Sequence, residues 1–329
     1  MKIIAGDIGG TKTLLQLAES VNGKFTVIHE HRYDSQAAVT FDEVLSAFLN
    51  DTSSMAQGNV ESMCIGVAGP ISGGNTAKVT NLPWLLDTRQ LSKKFDIAKV
   101  TLINDFQAIG YGIEVLAESD LEVLQPGQHV EHGTRAIIGA GTGLGSAIIV
   151  WHGGQYEVLP SEGGHADFAP ATDLQVELLQ FLRRKFSSVS IEHVLSGPGL
   201  ENIFDFFNAR EPGAVSAALM QAIKASGVAP AVTELGLNND ALAAQALNLF
   251  VQVYGAIAGN LALTSYAVGG VYISGGIAPR IVEKLSSGEF IAAFNDKSKM
   301  QHLLTAIPVK VITNPRVGLL GAALVASRH

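Results

Sequence analysis

The sequence contains a single cysteine, Cys64, in 329 residues. One thiol excludes an intrachain disulfide and any zinc site built from several cysteines, and such usage is typical of a reducing compartment. Cys64 lies in an apolar run, residues 63–67, and we expect it to be a buried strand residue. An apolar strand begins at Ile3, where a targeting segment would otherwise stand. These features predict a cytoplasmic protein.

Charged residues are also scarce, at 16 % of the chain, and the basic ones are the rarer kind: 22 Lys and Arg against 30 Asp and Glu give a net charge of −8. Without a basic run, this balance disfavours nucleic acid and anionic membranes as partners. The stretch between Asp240 and Arg280 carries no charge, which raises a membrane-spanning alternative. Glutamines and asparagines interrupt that stretch, so a long buried helix fits it better.

Glycine, by contrast, is abundant, with 35 residues in a chain that is 47 % hydrophobic. Such a chain can bury a large core, which excludes disorder. Its length is about twice that of a typical domain, so we expect two lobes with a cleft between them. Strands alternate with helical patterns, which predicts mixed α/β sheets.

One arrangement of strands occurs twice. A strand at residues 3–5, a glycine loop at 6–12 and a strand at 13–18 are matched by a strand at 135–138, a loop at 139–145 and a strand at 146–151. Each unit continues through a turn into a third strand, at residues 25–28 and 156–159. The repeated pattern predicts a duplicated architecture.

Both glycine loops are candidates for holding phosphate, because glycine lets backbone N–H groups approach an anion closely. Neither loop leads into a helix, as dinucleotide-binding and Walker A loops do, so we interpret them as hairpin tips. Asp7 in the first loop is placed to orient Mg²⁺ through water. A third pair, Gly275 and Gly276, follows an apolar strand and is a candidate seat for adenine. Ordinary tight turns are the alternative for each loop taken alone.

Polar residues that suit a sugar occur at three places. Asn104 and Asp105 end a strand, where Asp105 is a candidate general base and a helix cap is the alternative. Glu162 and His165 lie among glycines in a segment that suits vicinal hydroxyls, although a Glu-x-x-His pair also binds metal. Glu192 precedes a turn-rich segment, with a surface helix position as its alternative.

Taken together, these segments resemble the bacterial-type glucokinases, the group without zinc in the hexokinase superfamily that shares the ribonuclease H-like, actin-like ATPase fold. The resemblance rests on residues 6–11, 103–106, 139–145, 162–170, 194–200 and 274–277, in order along nearly the whole chain. The related repressor and kinase group with a zinc-bound cysteine cluster is disfavoured, because only Cys64 is present.

The resemblance implies roles for individual residues. Glucose hydroxyls are expected to contact Asn104, Asp105, Glu162, His165 and Glu192, with Asp105 as the base for the 6-hydroxyl. ATP is expected to lie on Gly6, Asp7, Ile8, Gly9, Gly10, Thr11, Gly141, Thr142, Gly143, Gly275 and Gly276. The expected cofactors are ATP and Mg²⁺ without zinc.

We therefore predict a small lobe of residues 1–110, rejoined by residues 307–329, and a large lobe of residues 111–306. The resemblance also implies a homodimer. Three other functions are weighed against a glucokinase: another ATP-dependent hexose or amino-sugar kinase, a sugar-responsive regulator, and an actin- or chaperone-like ATPase. The regulator would need a DNA-binding segment, and the ATPase would leave Glu162 and His165 without a purpose.

Overall fold

The computed structural model describes residues 1–21, 24–52 and 59–328. Its strands, in chain order, are β1 Lys2–Ile8, β2 Lys12–Val21, β3 Lys24–Asp34, β4 Ser62–Val67, β5 Ile71–Ser72, β6 Thr76–Lys78, β7 Leu85–Asp87, β8 Lys99–Asn104, β9 Leu121–Gln125, β10 Arg135–Ala140, β11 Leu144–His152, β12 Gln155–Ser161, β13 Gly270–Ser274 and β14 Val309–Ile312.

The α-helices are α1 Phe41–Thr52, α2 Thr88–Phe95, α3 Asp105–Gly112, α4 Asp173–Leu182, α5 Gly197–Arg210, α6 Ala217–Ser226, α7 Val228–Leu237, α8 Ala241–Ser265, α9 Val282–Leu285, α10 Glu289–Asn295, α11 Gln301–Ala306 and α12 Val317–Ser327. Short 3₁₀ turns lie between several of them, including Gly163–His165 and Ile191–His193.

Within the described residues the chain forms two compact units. The first comprises Met1–Glu118, Tyr156–Pro160 and Asn314–His329, and the second comprises Ser119–Gln155 and Ser161–Thr313. The lobe boundaries that the sequence predicts, near residues 110 and 306, stay predictions.

A five-stranded sheet with the order β3-β2-β1-β4-β8 forms the centre of the first unit. β1 is antiparallel to β2 and parallel to β4, which is in turn parallel to β8. Side chains alternate between the faces of a strand, so Ile4 packs on one face with α1 and α2, and Ile3 packs on the other with α12. Cys64 is fully buried in β4, as its apolar neighbours predict. The carboxyl ends of β1, β4 and β8 therefore meet at one edge of the sheet.

The second unit has a sheet with the order β12-β11-β10-β13-β14-β9. β10 is antiparallel to β11 and parallel to β13, and β13 is parallel to β14. Five of its strands thus repeat the order of the first sheet, hairpin strands followed by two parallel ones, and β9 is added at the edge. This topology agrees with the duplication predicted from the sequence.

Helix α8 contains 25 residues and is long and apolar enough to cross a membrane by length and composition. Most of its residues are buried in the core of the second unit, against helices that include α5, α7 and α10. Burial of this kind is what a core helix requires, so the uncharged stretch of the sequence has a packing explanation.

A small sheet of β5, β6 and β7 was not anticipated. These strands contain two or three residues each, too few for hydrophobic alternation to be recognised in a sequence.

Candidate functional site

Asn104 and Asp105 lie where β8 passes into α3. Asn104 is the N-cap of the helix: its side-chain oxygen accepts the N–H of Phe106 at 2.9 Å, and its own N–H donates to Gln107 Oε1 at 3.0 Å. The cap is thus supplied by Asn104, which leaves Asp105 as the first residue of the helix. One oxygen of Asp105 also accepts the N–H of Phe106, at 3.0 Å.

The carboxylate of Asp105 is held in an environment that favours its neutral form. Burial, together with a smaller contribution from the negative charge of Asp7, raises the pKa of Asp105 to about 6 against the lowering effect of the Phe106 N–H bond. The pKa of Asp7 is itself raised by burial, with Lys12 acting in the opposite direction. In the sheet Asp7 lies beside Gly66 of β4, and Asn104, which precedes Asp105, lies beside Val67 of β4. Asp7 and Asp105 therefore belong to the same edge of the sheet. A carboxylate with a pKa near neutrality is suited to accepting a proton.

The first glycine loop is the tip of the β1–β2 hairpin, as predicted. Gly6, Asp7 and Ile8 end β1, with Gly6 and Ile8 buried, whereas Gly9, Gly10 and Thr11 form the turn. The Gly9 N–H donates to the carbonyl oxygen of Lys12 at 2.9 Å.

Ser35 follows β3, is fully buried, and holds this turn in place through hydrogen bonds to its backbone. Its hydroxyl donates to the Gly9 carbonyl oxygen at 2.9 Å and lies 2.9 Å from Thr13 Oγ1, while its N–H donates to the Thr11 carbonyl oxygen at 3.2 Å. Nothing in the sequence distinguishes Ser35 from other loop serines, so sequence reasoning missed it.

Sequence reasoning also missed a cavity of about 370 Å³ in the first unit, lined by Pro70, Lys78, Val79, Thr80, Asn81 and Leu82. Asn81 has a left-handed backbone with φ 64° and lies close to Gly10 of the hairpin tip. An asparagine followed closely by proline is a turn signal, which is the only hint the sequence carried.

The second glycine loop is the tip of the β10–β11 hairpin, formed by Gly141, Thr142 and Gly143. The Gly141 N–H donates to the Gly143 carbonyl oxygen at 2.8 Å, and the Gly141 carbonyl oxygen accepts the N–H of Gly197 at 2.7 Å. Thr142 is exposed at the tip. The loop therefore rests on the start of α5.

Glu192 reaches this second hairpin. Its Oε2 accepts the N–H of Leu144 at 2.8 Å, and a Cβ at Gly143 would come within 2.6 Å of the same oxygen. Glycine at position 143 thus leaves the space that the carboxylate occupies. Glu192 lies in a 3₁₀ turn, so the surface-helix alternative does not describe it.

Glu162 and His165 are exposed neighbours on one turn. Glu162 Oε2 lies 3.9 Å from His165 Nε2, with 85 % and 63 % of the side chains exposed, respectively. Backbone bonds from the Phe168 N–H to Val189 and from the Ile191 N–H to Ala166, each 2.9 Å, join this segment to the turn that carries Glu192. The structure thus brings all three predicted residues of the second unit onto adjoining turns.

Gly275 and Gly276 follow β13, as expected for the third glycine pair. Gly275 has a φ of 87°, and a Cβ there would come within 2.8 Å of the Ala140 nitrogen. Only glycine meets both conditions without strain. At Gly276 a Cβ would meet nothing within 4 Å, so one face of the turn is open.

Among residues 1–21, 24–52 and 59–328, no three His, Cys, Asp or Glu side chains are grouped as ligands for a metal ion. The Glu162–His165 pair accordingly has no third ligand in that part of the chain.

Comparison with known proteins gives one consistent result. A family model described as Glucokinase matches residues 4–329. A relative named Glucokinase from Trichormus variabilis is 42 % identical over 341 aligned residues, covering 99 % of each chain.

Solved structures agree with the family match. The crystal structure of glucokinase from an Antarctic psychrotroph has a TM-score of 0.86 and 29 % identity, and covers 100 % of this chain and 99 % of that one. A ROK family glucokinase from Streptomyces griseus, in complex with glucose and AMPPNP, has a TM-score of 0.66 at 20 % identity, with 100 % of both chains covered. The predicted α/β fold of the actin-like ATPase superfamily is thereby confirmed.

Proposed function

The chain belongs to the glucokinase family, whose members transfer a phosphoryl group from ATP to glucose, and we propose that Asp105 is the general base of this reaction. The proposal rests on the raised pKa of the Asp105 carboxyl group, which is not needed as the helix cap. Asn104 supplies the helix cap, and burial raises the pKa of Asp105 to about 6.

In the proposed reaction, the 6-hydroxyl oxygen of glucose attacks the γ-phosphorus of ATP. The hydroxyl proton passes to the Asp105 carboxylate, and the bond from the γ-phosphorus to the β–γ bridging oxygen breaks with its electrons leaving on ADP. A base with a pKa near 6 is ionised at neutral pH yet basic enough to share the proton as the new bond forms.

We assign the sugar contacts to two groups of residues. Asn104 and Asp105 contribute from the first unit, and Glu162, His165 and Glu192 contribute from the second. The exposure of Glu162 and His165 supports the assignment, because their polar groups are accessible to hydroxyls. Glu192 has a further role in this proposal: by accepting the Leu144 N–H it links the sugar residues to the second hairpin.

We assign the phosphates of ATP to the two hairpin tips, residues 6–11 and 141–143. We assign the adenine base to Gly275 and Gly276. Backbone N–H groups in such turns stabilise negative charge on a transferring phosphoryl group. The open face at Gly276 supports a flat ligand there.

Two acidic residues of the first unit, Asp7 and Asp105, suit the binding of Mg²⁺ beside ATP. The charge of Asp7 raises the pKa of Asp105, and burial raises the pKa of Asp7 itself. A cation beside Asp7 would favour the ionised form of both acids. We propose that Asp7 holds Mg²⁺ through water, where the ion would neutralise charge on the ATP oxygens.

Asp105→Asn tests the base directly. The amide retains the shape of the side chain and loses proton acceptance, so we expect kcat to fall about 10²- to 10⁴-fold with little change in KM for glucose. ADP release measured with a coupled assay gives both constants. The matched control is Asp205→Asn, at an exposed position on α5, which should leave both unchanged. A kcat within threefold of the wild type in Asp105→Asn would refute the assignment.

Sugar preference is tested with the wild-type chain. ADP release is measured with glucose, mannose, fructose, N-acetylglucosamine and no sugar. We expect the highest kcat/KM with glucose and a rate near zero without sugar. If kcat/KM is higher with an amino sugar than with glucose, the proposed substrate is wrong and becomes that amino sugar. The proposed phosphoryl transfer from ATP would still hold.

A further inference from the structure

The two nucleotide loops of the second unit begin at neighbouring strand ends. The parallel pairing of β10 with β13 ends at Gly139 opposite Ser274. One residue later β10 ends at Ala140, and the chain enters the loop of Gly141 to Gly143; after Ser274 it enters the turn of Gly275. Beyond the last pair one backbone bond still joins the two segments, from the Ile277 N–H to the Ala140 carbonyl oxygen at 3.2 Å. The Ala140 N–H and the Ser274 carbonyl oxygen lie outside the regular ladder and are bonded by a side chain.

Tyr254 of α8 supplies that group. Its hydroxyl oxygen accepts the N–H of Ala140 at 3.2 Å and lies 3.3 Å from the carbonyl oxygen of Ser274 and 3.4 Å from that of Ile138. A phenol has a single proton, so it donates to one of these two oxygens at a time. The hydroxyl therefore connects the last residue of β10 to the last residue of β13.

The ring of Tyr254 is held rigidly. It is fully buried, and its edge contacts are Phe250, with ring centroids 6.0 Å apart, and Phe290, at 5.6 Å. Burial raises the pKa of the phenol, so the hydroxyl remains protonated and able to donate at physiological pH. A fixed ring fixes the position of the hydroxyl between the two strand ends.

We propose that Tyr254 is a positioning residue for ATP: its hydroxyl sets the spacing of the Gly141–Gly143 hairpin tip and the Gly275–Gly276 turn, and so aligns the phosphate and adenine contacts with each other. The inference rests on the proposed assignment of ATP to these loops. Tyr254 contacts no substrate itself, and its effect passes through the backbone of Ala140 and Ser274.

The test is Tyr254→Phe, which removes the hydroxyl and keeps the ring. We expect KM for ATP and the Kd for ADP, the latter by calorimetry, to rise about tenfold, because the two loops lose the side-chain bridge that joins them beside the Ile277–Ala140 backbone bond. KM for glucose should stay within twofold of the wild type. Replacement of Tyr254 by para-aminophenylalanine retains a donor for the carbonyl oxygens, and the rise in KM for ATP should then be smaller.

Phe290→Leu is the matched control, because it loosens the same aromatic cluster and leaves the hydroxyl in place. We expect it to lower the melting temperature without a selective change in KM for ATP. Equal effects of the two variants on KM for ATP, or no effect of Tyr254→Phe on KM for ATP and ADP affinity, would overturn the inference. If Tyr254→Phe fails to fold, para-fluorophenylalanine at position 254 decides, because its fluorine fills the place of the hydroxyl without donating a hydrogen bond. An unchanged KM for ATP and an unchanged ADP affinity in that variant refute the proposal.

Failure of the proposed function has a different signature. A wild-type chain that releases no ADP with any sugar refutes the kinase reaction. A wild-type chain with normal turnover, combined with an unaffected Tyr254→Phe variant, refutes only the positioning role.

Discussion

The buried surroundings of Asp105 favour its neutral carboxyl group, so the rate of the reaction is expected to depend on pH. With a pKa of about 6, the carboxylate loses its ability to accept a proton as the pH falls through that value. We expect log kcat/KM for glucose to fall with a slope of one below about pH 6, because with ATP saturating this constant reports the enzyme that has not yet bound glucose. A pH profile with saturating ATP checks this, and a profile that stays flat down to pH 5 would contradict it.

The same carboxylate affects the free energy of unfolding. Its pKa is higher in the folded chain than the ordinary value of 3.8, so the folded state binds the proton more tightly than the unfolded state. The stability that this proton contributes is complete below about pH 4 and is lost as the pH rises through about 6.

We therefore expect Asp105→Asn to be more stable than the wild type at pH 7.5, by about 1–3 kcal/mol at roughly 1.4 kcal/mol per pKa unit. The difference should disappear near pH 4. Urea denaturation of both proteins at the two pH values measures it. A variant that is less stable than the wild type at pH 7.5 would show that the carboxylate is not disfavoured there.

At the scale of elements, the packing of α3 against α12 positions Asp105, the proposed base. A Cβ at Gly321 of α12 would overlap the Ala108 carbonyl oxygen of α3, so the two helices approach each other through glycine. Because Asp105 begins α3, any displacement of this helix moves the carboxylate.

Gly321→Ala is expected to lower both kcat and the melting temperature, because the backbone of α3 has to shift. Gly318→Ala, on the same helix, is the control: its Cβ would meet only Ile109 Cγ1, at 3.8 Å, which is an ordinary contact. Alanine there should be neutral or stabilising by up to about 1 kcal/mol, the helix-propensity gain over glycine. Thermal melts and steady-state assays of both variants give the melting temperature and kcat. Equal changes in these two quantities for the two variants would contradict the packing explanation.

The regular elements were largely predictable because hydrophobic alternation and helical periodicity mark them. The strand predicted at residues 135–138 lies inside β10, and the strand predicted at residues 25–28 lies inside the longer β3. β3 continues through His29, His31 and Tyr33, whose mixed polarity hides it from a pattern search. β5 to β7 are too short to produce a pattern at all.

Across the whole molecule, the duplicated sheet order and the hairpin character of both glycine loops were read from the sequence. The functional partners of those loops were not, because they depend on tertiary contacts. Glu192 was predicted from family resemblance to contact sugar, while its bond to the Leu144 N–H appears only in the structure. Ser35 and Tyr254 are ordinary polar or aromatic residues until the fold places their hydroxyls at backbone groups.

The resemblance also predicts a homodimer, which we carry forward as a proposal. Size-exclusion chromatography with light scattering should give a mass of twice the 34.6 kDa of the chain. A mass equal to one chain at micromolar concentration would refute it.

Gln107 of the α3 capping box donates from its amide to the Val158 carbonyl oxygen at 3.1 Å, which ties residues 156–160 into the first unit. The chain consequently passes from one unit to the other after residues 118, 155, 160 and 313. Neither unit corresponds to one uninterrupted stretch of coding sequence. A single recombination event therefore cannot exchange a complete unit between two related genes, because a chimera that combines one unit from each has to be assembled from five segments joined at these four positions.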